Sequence, residues 1–187
     1  MKFKYFERLN RQIFPQKNSP LRKGKKCNYV FIHINKTGGT SVGKAIGLPT
    51  KRHLTIKEVS EIIGFEKLDE AFKFTVVRNP WDKVVSHYKY RVKTNQTLMS
   101  EKPIGFSEWV EKTYGENKDS FYYDNPRMFQ PQVEWLKDAS GNILVDKIIK
   151  FENLSTDFSE LATILNIEKE LPHLNKTNRL NYQKYYD

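Results

Sequence analysis

At 187 residues and 22.1 kDa, the chain is long enough to bury the core of one domain without help from disulfides or metals. Its single cysteine, Cys27, excludes an intramolecular disulfide and a cysteine-based zinc cluster, which fits a reducing compartment. Lysine and arginine exceed aspartate and glutamate by 32 − 22 = 10, so the protein should attract an anionic partner such as a nucleotide, nucleic acid, acidic glycan or membrane surface. A basic solvated surface is the plainer explanation of the same charge.

The first 26 residues form a basic arm that is interrupted by prolines and a lysine-rich run. Apolar side chains recur in this arm at helical spacing, at Phe3, Phe6, Leu9 and Ile13. This spacing favours a short helix packed on the body over a membrane or nucleic-acid contact. No apolar run approaches the ~20 residues that cross a bilayer, and no secretory signal is recognisable. We therefore expect a cytoplasmic protein with a basic arm at residues 1–26 and a single domain at residues 27–187.

The run Tyr29-Val-Phe-Ile-His-Ile34 mixes β-branched and aromatic residues and predicts a buried strand. Gly38 and Gly39 then permit a tight turn, and Thr40 and Ser41 are expected to cap a helix that follows at once. A strand that ends in such a turn and opens into a helix directs several backbone N–H groups at one point. Such a point is suited to bind a phosphate or a sulfate.

A second segment has the same plan of strand, polar turn and helix. Residues 71–77 predict a strand, Arg78 stands at its carboxyl end, and Asn79 and Pro80 suit the start of a helix over residues 81–93. In an open α/β sheet, ligands bind outside the carboxyl ends of the strands. Two such turns on neighbouring parallel strands would therefore suit a ligand with two separate anionic groups.

The other predicted elements alternate between helix and strand. A capping box at Thr55 and Glu58 predicts a helix that ends at Gly64. Further helices are expected at residues 106–114, 126–137 and 153–165, and a third strand at residues 143–151. Strands separated by helices predict a three-layer α/β fold, with a central, mainly parallel sheet flanked by helices.

The first loop lacks the spacing of a nucleoside-triphosphate P-loop, because Lys36 precedes the glycines and no lysine follows them directly. The third predicted strand ends in Phe151 and Glu152, so no magnesium-binding aspartate follows it. Both observations disfavour a kinase or ATPase.

Two runs, in this order, resemble the nucleotide motifs of sulfotransferases that use 3′-phosphoadenosine 5′-phosphosulfate (PAPS). His33-Ile-Asn-Lys-Thr-Gly-Gly-Thr-Ser41 resembles their 5′-phosphosulfate loop, and Val77-Arg-Asn-Pro-Trp-Asp-Lys-Val-Val-Ser-His-Tyr88 resembles their 3′-phosphate motif. The form is similar to the carbohydrate-modifying branch, which includes uronyl 2-O-sulfotransferases and small bacterial and phage relatives. Phe151-Glu-Asn-Leu154 and Leu171-Pro-His-Leu-Asn-Lys-Thr177 extend the resemblance over residues 29–180.

The resemblance implies a P-loop-like fold and a reaction in which PAPS gives up its sulfuryl group and leaves adenosine 3′,5′-bisphosphate (PAP), without a metal. It implies that the 5′-phosphosulfate is held by Lys36, Thr37, Gly38, Gly39, Thr40 and Ser41. It also implies that Arg78 and Ser86 hold the 3′-phosphate, with Lys176 as a further phosphate contact. Lys36 would also act in catalysis, at the bridging oxygen. For Arg78, a structural ion pair is the alternative interpretation.

An acceptor hydroxyl must lose its proton, and histidine is the side chain best suited to accept it near neutral pH. His53 stands just before a predicted helix and resembles the His-x-Thr element that supplies the base in this branch. His33 and His87 are expected to be structural, and His173 belongs to the C-terminal motif. We therefore predict His53 as the general base, with a surface or capping histidine as the alternative.

The expected acceptor is a hydroxyl of a carbohydrate or another small molecule, and nucleic acid is disfavoured. Arg52, Arg127 and Gln132 are candidates to contact it, although a solvated basic face explains them nearly as well. The chain also stops where many relatives continue into another helix, so the site should be less covered unless that tail is dispensable. The main alternative function is a basic module that binds nucleic acid or a polyanionic glycan without catalysis.

Overall fold

The computed structural model describes residues 29–47, 53–167, 171–172 and 181–186. The basic arm and the predicted site residues Arg52 and Lys176 lie outside this part of the chain. The elements are β1 (Tyr29–Ile32), α1 (Gly39–Ile46), α2 (Ile56–Ile63), α3 (Phe65–Asp69), β2 (Phe72–Val77), α4 (Pro80–Lys93), α5 (Phe106–Tyr114), α6 (Pro126–Phe129), β3 (Lys147–Lys150) and α7 (Leu154–Ile164), with short 3₁₀ helices at Gln96–Leu98, Gln132–Trp135, Phe151–Asn153 and Tyr182–Tyr185.

The chain forms two compact units, and the first combines Met1–Val77 with Gln132–Lys176. This unit contains a parallel sheet in the order β1-β2-β3, in which Tyr29 pairs with Phe72 and Phe74 pairs with Lys147. Parallel neighbours require crossover connections, and helices occupy them here, as the alternating pattern of the sequence predicted. The α/β class and the parallel sheet are therefore confirmed.

One hydrophobic cluster of the first unit lies on the face of the sheet where α1 and α7 pack, and Val30 and Ile32, which alternate with the residues of that face, are fully buried as well. Alternation along the strands sends every second side chain to that face, and the helices contribute residues three and four positions apart. The buried members of this core are Tyr29, Val42, Ala45, Ile46, Phe74, Val76, Ile149, Phe158, Leu161, Ala162, Leu165 and Ile167.

Lys73 points away from that core and is nevertheless buried, with 8% of its surface exposed. Its ammonium donates to the carbonyl oxygens of Leu68, Asp69 and Ala71 at 3.2, 3.2 and 2.7 Å, and it pairs with Asp146 at 3.4 Å. The last carbonyls of a helix have no partner inside the helix, so this lysine satisfies the end of α3. A buried lysine is tolerated here because each of its donors has an acceptor.

The second unit combines Arg78–Pro131 with Thr177–Asp187. Its core is built around Trp109 of α5, which is fully buried together with Met99 and Phe129. The end of the chain packs within this unit, since the Tyr186 hydroxyl donates to the Trp81 carbonyl at 2.9 Å.

Some predicted elements differ from those observed. The helix expected over residues 126–137 is interrupted, and Gln130 is extended with ψ 155, because Pro131 disfavours a helical conformation in the residue before it. The strand expected over residues 143–151 is limited to β3, while α3 was not predicted. The Thr55 capping box and the Asn79 cap are confirmed. In the part of the chain that the structure describes, no helix has the length and apolar character needed to span a membrane.

Replacing Lys73 with methionine keeps the apolar stem and removes the ammonium. We expect Lys73→Met to lower the free energy of unfolding by about 1–3 kcal/mol, because buried carbonyl oxygens lose their donor. Urea denaturation measures this change, and Lys67→Met, on the exposed side of α3, is the matched control. Equal stability of the two variants would contradict the assigned role of Lys73.

Candidate functional site

The loop between β1 and α1 has a defined, left-handed path. Lys36 and Gly38 both have positive φ angles, of 64° and 85°, and Ser41 N donates to Gly38 O at 3.0 Å. The Thr37 hydroxyl is buried and donates to the Ile34 carbonyl at 2.9 Å, which fixes the start of the turn. Lysine rarely adopts a positive φ angle, so the surrounding loop must hold Lys36 in this conformation.

The two glycines of this loop are required by close contacts. A Cβ atom on Gly38 would lie 2.7 Å from Cδ2 of Phe151. One on Gly39 would collide with the ring of His33 and lie 2.8 Å from Cζ of Phe31. Aromatic rings therefore support the loop on the side where side chains would otherwise project, and only glycine fits at either position.

The first turn of α1 differs from the prediction. Thr40 and Ser41 do not cap the helix, which begins at Gly39 and has Gly38 as its N-cap residue, without a hydrogen bond from a capping side chain. The reason is that the left-handed Gly38 already turns the chain into the helix. The N-terminal N–H groups of this eight-residue helix are thus not satisfied by a capping side chain, which is the arrangement that anion sites use.

His53 forms a hydrogen bond with His33, the residue that follows β1 and leads into this loop. Its Nδ1 atom lies 2.8 Å from the His33 carbonyl oxygen, and the two imidazole rings are 4.3 Å apart. A carbonyl oxygen only accepts, so Nδ1 carries the proton and, in the neutral ring, the lone pair is on Nε2. The Trp135 ring lies 6.3 Å away in an edge-to-face arrangement. The contact with His33 makes Nε2 the proton-accepting nitrogen of the neutral His53 ring.

His33 itself has a packing role. It is buried, with 4% exposure, and its ring stacks on Phe31 at 5.3 Å. His87 is also buried, between Trp109 at 5.6 Å and Phe129 at 4.9 Å. Both histidines are structural, in agreement with the sequence analysis.

Arg78, at the carboxyl end of β2, takes part in a buried ion pair. Its Nε donates to Asp82 Oδ2 at 2.8 Å, and its Nη2 lies 2.6 Å from the same oxygen. The alternative considered for Arg78, a structural ion pair, is therefore present. Asp82 was not predicted, although its spacing of four residues from Arg78 is that of a helical ion pair.

The first turn of α4 is closed to anions by its cap. Asn79 Oδ1 accepts from Trp81 N at 3.0 Å and from Asp82 N at 3.3 Å, and Pro80 has no N–H. The fourth N–H, that of Lys83, donates to the Asn79 carbonyl at 2.9 Å. In contrast to the start of α1, the N–H groups at this helix start are already paired by a capping side chain and by the backbone.

Two further α4 residues lie in the predicted 3′-phosphate motif. Ser86 is half-buried, and Lys83 is buried with 4% exposure. Burial lowers the pKa of Lys83 from its ordinary value of 10.5 to about 8. Lys83 was not predicted from the sequence, which does not indicate which face of an amphipathic helix a lysine will occupy once the helix packs.

The candidate acceptor residues are not brought together within either unit. Arg127 lies on α6 of the second unit, and Gln132 begins a 3₁₀ helix of the first. Both are half-buried. Their roles stay predictions.

The comparisons with known proteins can be set beside this geometry. A model described as the sulfotransferase family matches residues 21–186. This match covers almost the whole chain, and the protein therefore belongs to the sulfotransferase family and is a sulfotransferase. In the crystal structure of a sulfotransferase from Alicyclobacillus acidocaldarius, the similar chain has a TM-score of 0.41 and 15% identity, over 98% of this chain and 84% of that one. No curated protein gives a significant match.

A methyl group on Gly39 should disturb both the loop and His33, whose carbonyl orients His53. We expect Gly39→Ala to lower the free energy of unfolding by about 1–3 kcal/mol, because the rings of His33 and Phe31 must move. PAP binding should weaken by about tenfold or more, since 1.4 kcal/mol corresponds to that factor.

Urea denaturation and calorimetric titration with PAP measure the two effects. Gly105→Ala is the matched control, because a Cβ atom there meets nothing within 4 Å. A Gly39→Ala protein as stable and as tightly binding as the control would refute the close packing of the loop.

Proposed function

We propose that the protein transfers the sulfuryl group of PAPS to a hydroxyl of a carbohydrate acceptor, with His53 as the general base. The observation that carries this proposal is the hydrogen bond between His53 and His33. It orients a proton acceptor from His33, which follows β1 and precedes the glycine loop. A base and an anion-binding loop that are positioned by the same short segment are the parts that sulfuryl transfer needs.

The residues proposed to bind the 5′-phosphosulfate fit that group. The first turn of α1 is not capped by a side chain, and Gly38 and Gly39 leave its backbone uncovered by Cβ atoms. Lys36 contributes a cation, and the hydroxyls of Thr37, Thr40 and Ser41 add polar groups to the same loop. Their backbone path supports a role in holding a tetrahedral anion.

The proposed reaction is an in-line displacement at sulfur. The acceptor oxygen forms a bond to sulfur while the bond from sulfur to the bridging oxygen of PAPS breaks, and PAP leaves. His53 Nε2 takes the proton of the attacking hydroxyl. Lys36 offsets the negative charge that develops on the bridging oxygen. The contribution of the protein is positioning and electrostatic stabilisation.

The 3′-phosphate is assigned to Arg78 and Ser86, with Lys176 as a further contact outside the described residues. A planar guanidinium can grip a terminal phosphate with two parallel N–H groups, even while another edge is bound to Asp82. Arg52, Arg127 and Gln132 are proposed to contact the acceptor, and the net charge of +10 supports an anionic sugar. The single cysteine supports a location in the cytoplasm.

The donor assignment is tested by titrating the protein with PAP in a calorimeter. We expect binding in the wild-type protein and a loss of at least about tenfold in Arg78→Ala, because a charge-assisted bidentate contact is removed. Arg78→Lys separates charge from geometry, because it keeps the ion pair with Asp82 and loses the planar fork.

No PAP binding by the wild-type protein would reject the proposal. Steeply salt-dependent binding of a polyanion that survives loss of both Lys36 and Arg78 would favour the non-catalytic binding module instead. Lys44→Ala, on the exposed side of α1, controls for a general loss of positive charge.

The base is tested by replacing His53 with alanine. Sulfate transfer from PAPS, screened over a panel of glycans and small alcohols, first identifies the acceptor with the highest rate. With that acceptor, we expect His53→Ala to lower kcat by roughly 10²–10⁴-fold, the usual contribution of a general base. PAP affinity should stay within about twofold, since the residue acts on the acceptor. Full activity in His53→Ala would assign the base to another residue.

A further inference from the structure

Two lysines are buried among the residues that the structure describes, and they differ in what surrounds their charge. Lys73, 8% exposed, donates to carbonyl oxygens and pairs with Asp146. Lys83, 4% exposed, has no hydrogen bond or ion pair from its ammonium to any residue in the described ranges. Burial of an unpaired charge is costly, so proteins compensate such groups with a partner. Among the described residues no anionic group compensates the Lys83 ammonium, and an anionic ligand would do so.

The charges of the side chains at the start of α4 indicate that a partner of Lys83 should be negatively charged and should lie beside this helix start. Arg78 and Asp82 form a buried ion pair, which as a unit is neutral. Lys83 is the next residue and has no such neutralising partner among the described residues. A terminal phosphate carries about −1.5 to −2 charges near neutral pH, which a neutral ion pair cannot balance.

The backbone of α4 cannot provide this compensation. Asn79 accepts from the N–H groups of Trp81 and Asp82, and Pro80 has none. The positive end of the helix is thus already occupied by its own cap. An anion beside the first turns of α4 must be held by side chains.

Lys83 is placed to be one of those side chains. It lies three residues before Ser86, and residues three apart are neighbours on a helix surface. Its flexible four-carbon stem lets the ammonium follow a phosphate oxygen. Both residues belong to the second unit, as does Arg78.

We propose that Lys83 is a third binding residue for the 3′-phosphate of the nucleotide and supplies the net positive charge of that site. This inference rests on the proposed function and deepens it. Arg78 then contributes directed hydrogen bonds, while Lys83 contributes the uncompensated charge.

The decisive variant is Lys83→Met, which keeps the stem and removes the ammonium. Calorimetric titrations with PAP and with adenosine 5′-phosphate, which lacks the 3′-phosphate, separate the two ends of the nucleotide. We expect PAP affinity to fall by about 10–100-fold and adenosine 5′-phosphate affinity to change by less than about threefold, because only the 3′ contact is lost. The melting temperature without ligand should rise, since a buried unpaired charge has been removed.

Lys93→Met, in the last turn of the same helix, is the matched control, because Lys93 is exposed. It should leave both affinities unchanged. Lys83→Arg, which restores the charge, should recover part of the PAP affinity. If Lys83→Met does not fold, Lys83→Gln is titrated in its place.

Unchanged PAP affinity in Lys83→Met would overturn the inference, and so would an equal loss for both nucleotides. A fall in melting temperature together with unchanged PAP affinity would make Lys83 a structural residue. These outcomes leave the proposed function intact as long as Arg78→Ala still weakens PAP binding. If the wild-type protein binds no PAP, both the proposed function and this inference fail.

Discussion

The backbone and ring of His33 connect the parts of the candidate site in the first unit. Its carbonyl accepts from His53 Nδ1, so the residue that follows β1 determines which nitrogen of the proposed base is unprotonated. Its ring occupies the space that a Cβ atom on Gly39 would need. Because one buried residue contacts both, the position of the base and the shape of the anion-binding loop depend on the same packing against Phe31. Such shared support reduces the freedom of both groups before a ligand binds.

The two helices that follow β1 and β2 differ in how the N–H groups of their first turns are capped. In α1, a left-handed glycine turns the chain, so no side chain caps the helix and its N-terminal N–H groups can serve a ligand. In α4, Asn79 and Pro80 close the helix start. In our proposal the second motif therefore relies on cationic side chains, one paired with Asp82 and one, Lys83, buried without a partner among the described residues. The cost of burying that charge fits a site in which some stability is given up for binding.

The sequence predicts the helices and strands correctly where periodicity and capping residues within a short segment are sufficient. Alternating and helical periodicities located β2, α4 and α5, and capping residues located the start of α2. The helix expected over residues 126–137 shows where such signals conflict. Its apolar periodicity continues across Pro131 and predicts one helix. Pro131 nevertheless disfavours a helical conformation at Gln130, so α6 ends at Phe129.

The sequence by itself determined the glycine loop after β1, the strand-turn-helix plan of the second motif and the basic charge, because these depend on residue types and on short spacings. Only the tertiary structure decided that His53 is oriented by His33, that Arg78 is paired with Asp82, and that, among the described residues, Lys73 has acceptors for its ammonium while Lys83 has none. Hydrogen-bond partners and burial depend on which faces meet after folding, and residues distant in the chain make those contacts. A lysine side chain carries a charge, but its surroundings in the folded protein determine whether that charge is solvated, paired or available to a ligand.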